Sequence, residues 1–235
     1  MFSAEEIAAL IEGIAARGVF ARCDAVLSGY LGEAGIGSAI LDAAARARTA
    51  NPAALYCCDP VIGDDGRGVF VRSGIPHFLR EHALPAADIA TPNRFELALL
   101  TGEEARTLAG VKRAAMRLQA GMRPSGPRSV LVSGLATETT PADAIDLLVA
   151  EGGAFHLLRT PRLARHFNGA GDVLAALYLR HRLASGSAAE ALSVAASSLW
   201  GLLRATAEQG AEELLLVAAQ DEVVRPSMRF RAEPV

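Results

Sequence analysis

Four short apolar runs, each stopped by a cluster of small and polar residues, constrain the fold of this chain more than any other feature. They are CDAVLSG (23–29), AALYCCDP (53–60), ADIATPN (87–93) and RSVLVSG (128–134). Runs of this length are strand-sized, and their nearly continuous apolar character suits strands buried on both faces of a parallel sheet. The intervening segments read as helices. Ser3 and Glu6 form a capping-box pattern ahead of Ile7, Leu10, Ile11 and Ile14. A second helix runs to about Arg48, IPHFLREHAL is helical, RFELALLTG ends on the glycine expected of a C-cap, and Val111 to Gly121 is helical again. VIGDDGRG reads as loop, AIDLLVAEGGAFHLLRT as a two-stranded hairpin across Gly152 and Gly153, and two long alanine-rich helices follow.

Strands alternating with helices indicate βαβ units, and so one three-layer α/β/α domain over residues 1–235 with a mainly parallel central sheet. Ligands in such sheets sit beyond the carboxyl ends of the strands. The polar clusters GYLG, DPVIGDDG, TPNRFE and SGLATE fall at those ends, so four strand ends are expected to converge on one crevice.

Composition removes several function classes. A net charge of −3 with interspersed signs offers no basic face for nucleic acid. No apolar run reaches the roughly 18 residues that a membrane span needs, and the start, Met1 then Ser3-Ala4-Glu5-Glu6, is not a signal pattern, so a cytoplasmic protein is expected. Cys23, Cys57 and Cys58 fit neither a disulfide framework nor a zinc pattern, and the five histidines lack metal-ligand spacing. Lys112 is the sole lysine. A P-loop needs a lysine after its glycines, so a nucleotide would have to be held by another device.

HFNGAGDVLAALYLRHRL (166–183) offers one. Gly169, Ala170 and Gly171 leave backbone N–H groups unobstructed at a helix N-terminus, where the orphan donors and the helix dipole favour an anion such as a transferring phosphoryl group. Asp172 enters the first helical turn beside that site. A carboxylate next to a phosphate is unfavourable unless it has a task such as taking the proton from an attacking hydroxyl; otherwise Asp172 only stabilises its own helix.

NGAGD, TPNRFE and CDPVIGDDGRG, taken with CDAVLSGYLG and the ending ELLLVAAQDEVVRPSMRF, resemble the ribokinase-like superfamily and, more narrowly, its pyridoxal kinase branch, over nearly the whole chain. The resemblance implies a cytoplasmic, homodimeric kinase using ATP and Mg²⁺ to phosphorylate the hydroxymethyl group of pyridoxal, and of pyridoxine or pyridoxamine, in vitamin B6 salvage. It implies Asp172 as base, with the amides of Gly169, Ala170 and Gly171 around the phosphoryl group. Asp59 is then expected near the ATP phosphates and their magnesium, with Asn93 and Glu96 positioning Mg²⁺, largely through water, as that ion prefers. Thr91 and Ser133 match nucleotide-contacting positions. Arg159, Thr160, Pro161 and Arg162 match a segment approaching the nucleotide, its arginines acting as supplementary cations. Tyr30 is expected to line the pyridoxal side. Asp64 and Asp65 read as a flexible turn, although the family has an acidic residue near Asp64.

The sequence departs from the family pattern twice. Met1 aligns inside the pattern, so that an N-terminal strand, a substrate-contacting serine and a flap, roughly 50 residues in all, are expected to have no counterpart. Val69 stands where some relatives carry a cysteine able to react with the aldehyde, so no thiol trap is expected. Two other readings compete: a hydroxymethylpyrimidine kinase, whose branch generally has cysteine where Ala170-Gly171-Asp172 supplies aspartate, and a non-catalytic vitamin B6 or nucleotide-binding homologue.

Overall fold

The computed structural model describes residues 2–235. Ser3 opens α1 (Ala4–Ala16) with a reciprocal capping box: its Oγ accepts from the Glu6 N–H at 3.2 Å and its own N–H donates to Glu6 Oε2 at 2.7 Å. After a 3-10 turn (Val19–Arg22) come β1 (Ala25–Ser28), α2 (Ala34–Ala50) and β2 (Leu55–Cys58). A small antiparallel pair, β3 (Gly63–Asp64) and β4 (Gly68–Val69), then precedes a helical stretch. That stretch comprises α3 (Ile75–Phe78), a π turn (Leu79–Ala83) and α4 (Leu84–Ala86), and its irregularity falls beside Pro85, which has no N–H to donate. Next are β5 (Ile89–Ala90), α5 (Arg94–Thr101), α6 (Leu108–Gly121), β6 (Ser129–Leu135), β7 (Ala144–Glu151) and β8 (Ala154–Pro161). The chain finishes with α7 (Ala170–Ser185), α8 (Ala188–Glu208), α9 (Gln220–Val224) and β9 (Glu233–Pro234).

The seven-stranded sheet has the order β1-β2-β5-β6-β7-β8-β9. The first four strands are parallel; the β7–β8 hairpin and β9 extend the sheet antiparallel. Strands added always in one direction through right-handed crossovers must put their helices on one face. Residues of α2, α3, α5 and α6 accordingly share one core cluster with Tyr56, Cys58, Val130 and Val132. The other face is covered by α7 and α8, whose Leu174, Tyr178, Leu192 and Ala195 pack with Cys57, Ile89, Leu131 and Val149. Alternate residues of one strand thus enter opposite cores, which is why the central strands are apolar throughout.

The amino ends of the parallel strands are tied by charge. Asp88, fully buried, accepts from the Tyr56 N–H at 2.8 Å, from Arg48 at 2.9 Å and from Arg123 Nε at 2.6 Å. Two details differ from the sequence reading. VIGDDGRG is not a free loop but the β3–β4 hairpin, because Asp64 Oδ1 accepts from the N–H groups of Gly66 and Arg67 and closes a tight Asx turn. The C-terminal residues supply the edge strand β9, a position that tolerates the missing N–H of Pro234. Among the described residues no helix is long and apolar enough to cross a membrane.

Candidate active site

The parallel ladder continues one step past each strand and delivers side chains to a common floor. Asp59 donates its N–H to the Ser28 carbonyl, Thr91 to Cys58, and Ser133 to Pro92, while Asn93 and Ser133 form a further parallel bridge. Tyr30, Asp59, Thr91, Asn93 and Ser133 consequently line one cleft of about 990 Å³ at the carboxyl end of the sheet. All four expected strand ends meet there.

The floor is acidic and buried. Glu96 sits in the first turn of α5, where Asn93 is the N-cap: Asn93 Oδ1 accepts from the Glu96 N–H and Glu96 Oε2 accepts from the Asn93 N–H, both at 2.9 Å. Glu96 Oε1 also accepts from the N–H groups of Ile62 (2.9 Å) and Gly63 (3.4 Å). Burial outweighs these bonds and pushes the Glu96 carboxyl up to about 6. Asp59 is buried as well. Burial, with the charges of Glu96 and Asp172 adding to it, pushes its carboxyl up to about 7 against the one opposing hydrogen bond, from Thr91 Oγ1 at 2.8 Å.

Asp172 faces this floor from α7. Gly169 is the helix N-cap in the left-handed conformation (φ 79°), which turns the preceding segment sharply into the helix. Among the described residues no acceptor meets the N–H groups of Ala170, Gly171 or Asp172, so the first turn of α7 presents free donors to the cleft. The Asp172 carboxylate reaches across to the end of β1, where a Cβ on Gly29 would stand 3.3 Å from Oδ1. An anion-seeking helix end and three carboxylates from three elements therefore line one cleft.

The rest of the cleft has two unlike parts. Its rim carries Arg67, Arg94, Arg162 and Arg165. Arg67 pairs with Asp64 and Arg94 with Asp65, which fixes the β3–β4 hairpin beside the floor, as does the bond from Asn93 Nδ2 to the Gly63 carbonyl at 2.8 Å. Asp64 and Asp65 are thus latched in place. Beyond Ser133 and Thr160 lies an apolar chamber of Ile145, Leu147, Leu199, Trp200 and Leu203. Trp200, the chain's only tryptophan, donates its ring N–H to the Pro161 carbonyl at 3.1 Å.

Two expected roles need revising. Arg159 does not line the cleft: successive strand residues face opposite sides, Thr160 takes the inward place, and the Arg159 guanidinium is bound to Asp146 at 2.7 and 2.8 Å. Asn93 reaches the cleft, but both ends of its amide are engaged, one by the Glu96 N–H and the other by the Gly63 carbonyl, so it serves by holding Glu96. Gly169, Ala170, Gly171, Thr160, Pro161, Arg162 and Tyr30 all line the cleft. Sequence reasoning missed the arginines at 67, 94 and 165, Gly29 and the chamber. Arg94 lies within TPNRFE and could have been singled out; nothing in the alanine-rich C-terminal helices pointed to Trp200.

A magnesium ion fits this donor set. No cluster of three metal-ligating side chains occurs among the described residues, and Mg²⁺ does not need one. It is commonly held by one or two carboxylates, with waters and substrate phosphates completing its shell. Asp59 Oδ2 makes no hydrogen bond among the described residues, and a bound cation would displace the protons of both raised carboxyls into solvent.

Comparison with known proteins agrees in fold and in family. The phosphomethylpyrimidine kinase family model matches residues 5–215. The pyridoxal kinase PdxY of Granulibacter bethesdensis is 56% identical over 99% of this chain and 82% of its own length. That of Deinococcus radiodurans is 48% identical over 100% and 80% respectively. The solved structure of the Leishmania donovani pyridoxal kinase with ADP and pyridoxamine superposes with a TM-score of 0.89 at 27% identity, covering 100% of this chain and 82% of that one.

Proposed function

We propose that this chain, which belongs to the phosphomethylpyrimidine kinase family and within it to the pyridoxal kinases, transfers the terminal phosphoryl group of ATP to the hydroxymethyl oxygen of pyridoxal. The product is pyridoxal 5′-phosphate, and the step belongs to vitamin B6 salvage. The observation that carries this reading is the meeting of Asp172, the free N–H groups of α7 and the buried pair Asp59 and Glu96 in one cleft with an apolar chamber. Phosphoryl transfer demands these parts: a base for the alcohol, donors for the equatorial oxygens, and charge compensation for the polyphosphate.

Each part takes a role. Asp172 accepts the proton of the attacking hydroxyl as the new P–O bond forms and the bond to the ADP oxygen breaks. The N–H groups of Gly169, Ala170 and Gly171 hold the equatorial oxygens of the moving group. Glu96 and Asp59 would hold Mg²⁺, Glu96 largely through water, and the ion would neutralise charge on the phosphates. Thr91 steadies Asp59. Ser133, Thr160 and Arg162 border the nucleotide, the purine lies in the chamber of Leu147, Leu199 and Trp200, and Tyr30 lies on the pyridoxal side. The three unpaired thiols, two of them fully buried, suit a reducing compartment, and the reaction is assigned to the cytoplasm.

The decisive experiment follows ATP-dependent formation of pyridoxal 5′-phosphate, with hydroxymethylpyrimidine as a competing substrate, in the wild type and in Asp172→Asn. Transfer should fall by at least about a thousandfold in the variant while ATP affinity stays within about twofold, because the base acts in the chemical step. Equal turnover in the variant would remove Asp172 from the reaction, and preference for hydroxymethylpyrimidine would reassign the substrate.

A further inference from the structure

Asp146 has no place among the groups that touch the reactants, yet it is fully buried and its carboxylate accepts three side-chain hydrogen bonds. Its Oδ1 accepts from Arg159 Nε at 2.7 Å. Its Oδ2 accepts from the Arg159 terminal nitrogen at 2.8 Å and from Thr140 Oγ1 at 2.7 Å. Arg159 in turn donates to the Thr139 carbonyl at 2.8 Å, and Thr140 Oγ1 accepts from the Thr137 N–H at 2.9 Å. One carboxylate therefore organises a whole turn, residues 137–140, together with an arginine on the neighbouring strand.

Its location connects that network to the apolar chamber. On β7, Asp146 lies between Ile145 and Leu147, which point the other way and line the chamber. On β8 it is paired directly with Arg159, whose successor Thr160 lines the cleft; on β6 it is paired with Leu135, whose predecessor Gly134 does the same. The β6–β7 register shifts between Val132 and Leu135, so on that side regular ladder bonds do not fix the stretch that carries Ser133 and Gly134, and Ser133 is held from the β5 side, by the Pro92 carbonyl. The Asp146 network stands where that ladder is interrupted.

We propose that Asp146 is a positioning residue for the nucleotide, acting through Arg159 and the turn at 137–140 to hold the three strand ends that form the purine chamber. This rests on the reading that the chamber takes the purine. A bidentate arginine–carboxylate pair is stiff and directional, and because the carboxylate is fully buried while the guanidinium is exposed, loss of Arg159 would leave a buried charge short of donors. Arg159 thus serves nucleotide binding without touching the nucleotide.

The test compares Asp146→Asn, Thr140→Val and Glu151→Gln. The last breaks the Glu151–Arg182 pair on the same strand, outside the chamber, and serves as the control for general loosening. ATP affinity is read from the fluorescence of Trp200, and transfer from steady-state kinetics. Asp146→Asn should weaken ATP binding about tenfold or more, the loss expected for a charge-assisted bond, with kcat at saturating ATP and KM for pyridoxal within about twofold. Thr140→Val, which keeps the ion pair, should show a smaller loss of the same kind, and it carries the test should Asp146→Asn fail to fold. Glu151→Gln should leave ATP affinity unchanged. Wild-type ATP affinity in Asp146→Asn and Thr140→Val, or an equal loss in Glu151→Gln, would overturn the assignment. A wild type that binds ATP but transfers nothing to pyridoxal defeats the proposed reaction and leaves the affinity comparison decisive; one that binds no ATP overturns both.

Discussion

Replacing Asp59 by Asn should stabilise the ligand-free protein while abolishing its chemistry. Burial and the neighbouring carboxylates raise the Asp59 carboxyl from 3.8 to about 7, whereas Thr91 is the only group opposing the shift through a hydrogen bond. A carboxyl whose folded value lies above its unfolded value contributes stability that is fully present below about pH 4 and is lost as the pH rises through 7. At about 1.4 kcal/mol for each tenfold change in proton affinity, a rise from 3.8 to about 7 means that ionised Asp59 costs the empty fold on the order of 4 kcal/mol at pH 8. Asn keeps the shape and an acceptor for Thr91 Oγ1 but carries no charge. Allowing for the imperfect fit of its amide group, the gain at pH 8 should be roughly 2–4 kcal/mol, or about 4–16 °C in Tm for a chain of this size. Urea denaturation of both proteins at pH 5 and pH 8, without nucleotide and with divalent ions chelated, measures it. The gap should open between the two pH values. An Asn variant less stable than wild type at pH 8, or a gap equal at both, would refute the account of a strained carboxylate.

Two further substitutions test neighbouring parts of the floor. In Gly29→Ala the new methyl meets Asp172 Oδ1 at 3.3 Å, so kcat should drop about tenfold or more with KM for ATP unchanged, as steady-state kinetics would show. Glu96→Gln places an amide donor against backbone N–H groups that now donate to the carboxylate; the magnesium concentration giving half-maximal rate should rise about tenfold and Tm should fall by a few degrees, the first read by magnesium titration and the second by thermal melting.

The sheet and the end that carries the cleft were legible because strand burial and strand termination leave direct marks. Leu55 to Cys58 are apolar in both directions from the sheet and stop at Asp59-Pro60, which is what a strand buried on both faces and ending at a site looks like in one dimension. Gly169 and Asp172 were legible for a similar reason, since helix starts have a local chemistry. Side-chain commitments were not. Arg159 reads as a free cation in RTPR, and only the pairing of β7 with β8 reveals that Asp146, thirteen residues earlier, occupies it. The β3–β4 hairpin escaped detection because its strands are two residues each and an Asx turn leaves no periodic signal. The chamber escaped because Leu147, Leu199 and Trp200 are ordinary core residues until folding places them at an opening.

The capping box at the head of α5 ties folding and chemistry into one event. Asn93 and Glu96 begin that helix by satisfying each other's N–H groups, and the same Glu96 carboxylate holds Ile62 and Gly63 while Asn93 holds the Gly63 carbonyl. Fraying of this single turn would release the Glu96 carboxylate and its hold on the hairpin together. The site therefore has no half-assembled form in which the acid is presented but the hairpin is loose. Its local opening should be shared, and the amide hydrogens of Ile62, Asn93 and Glu96 should exchange as one unit, which hydrogen-exchange protection of the three would check.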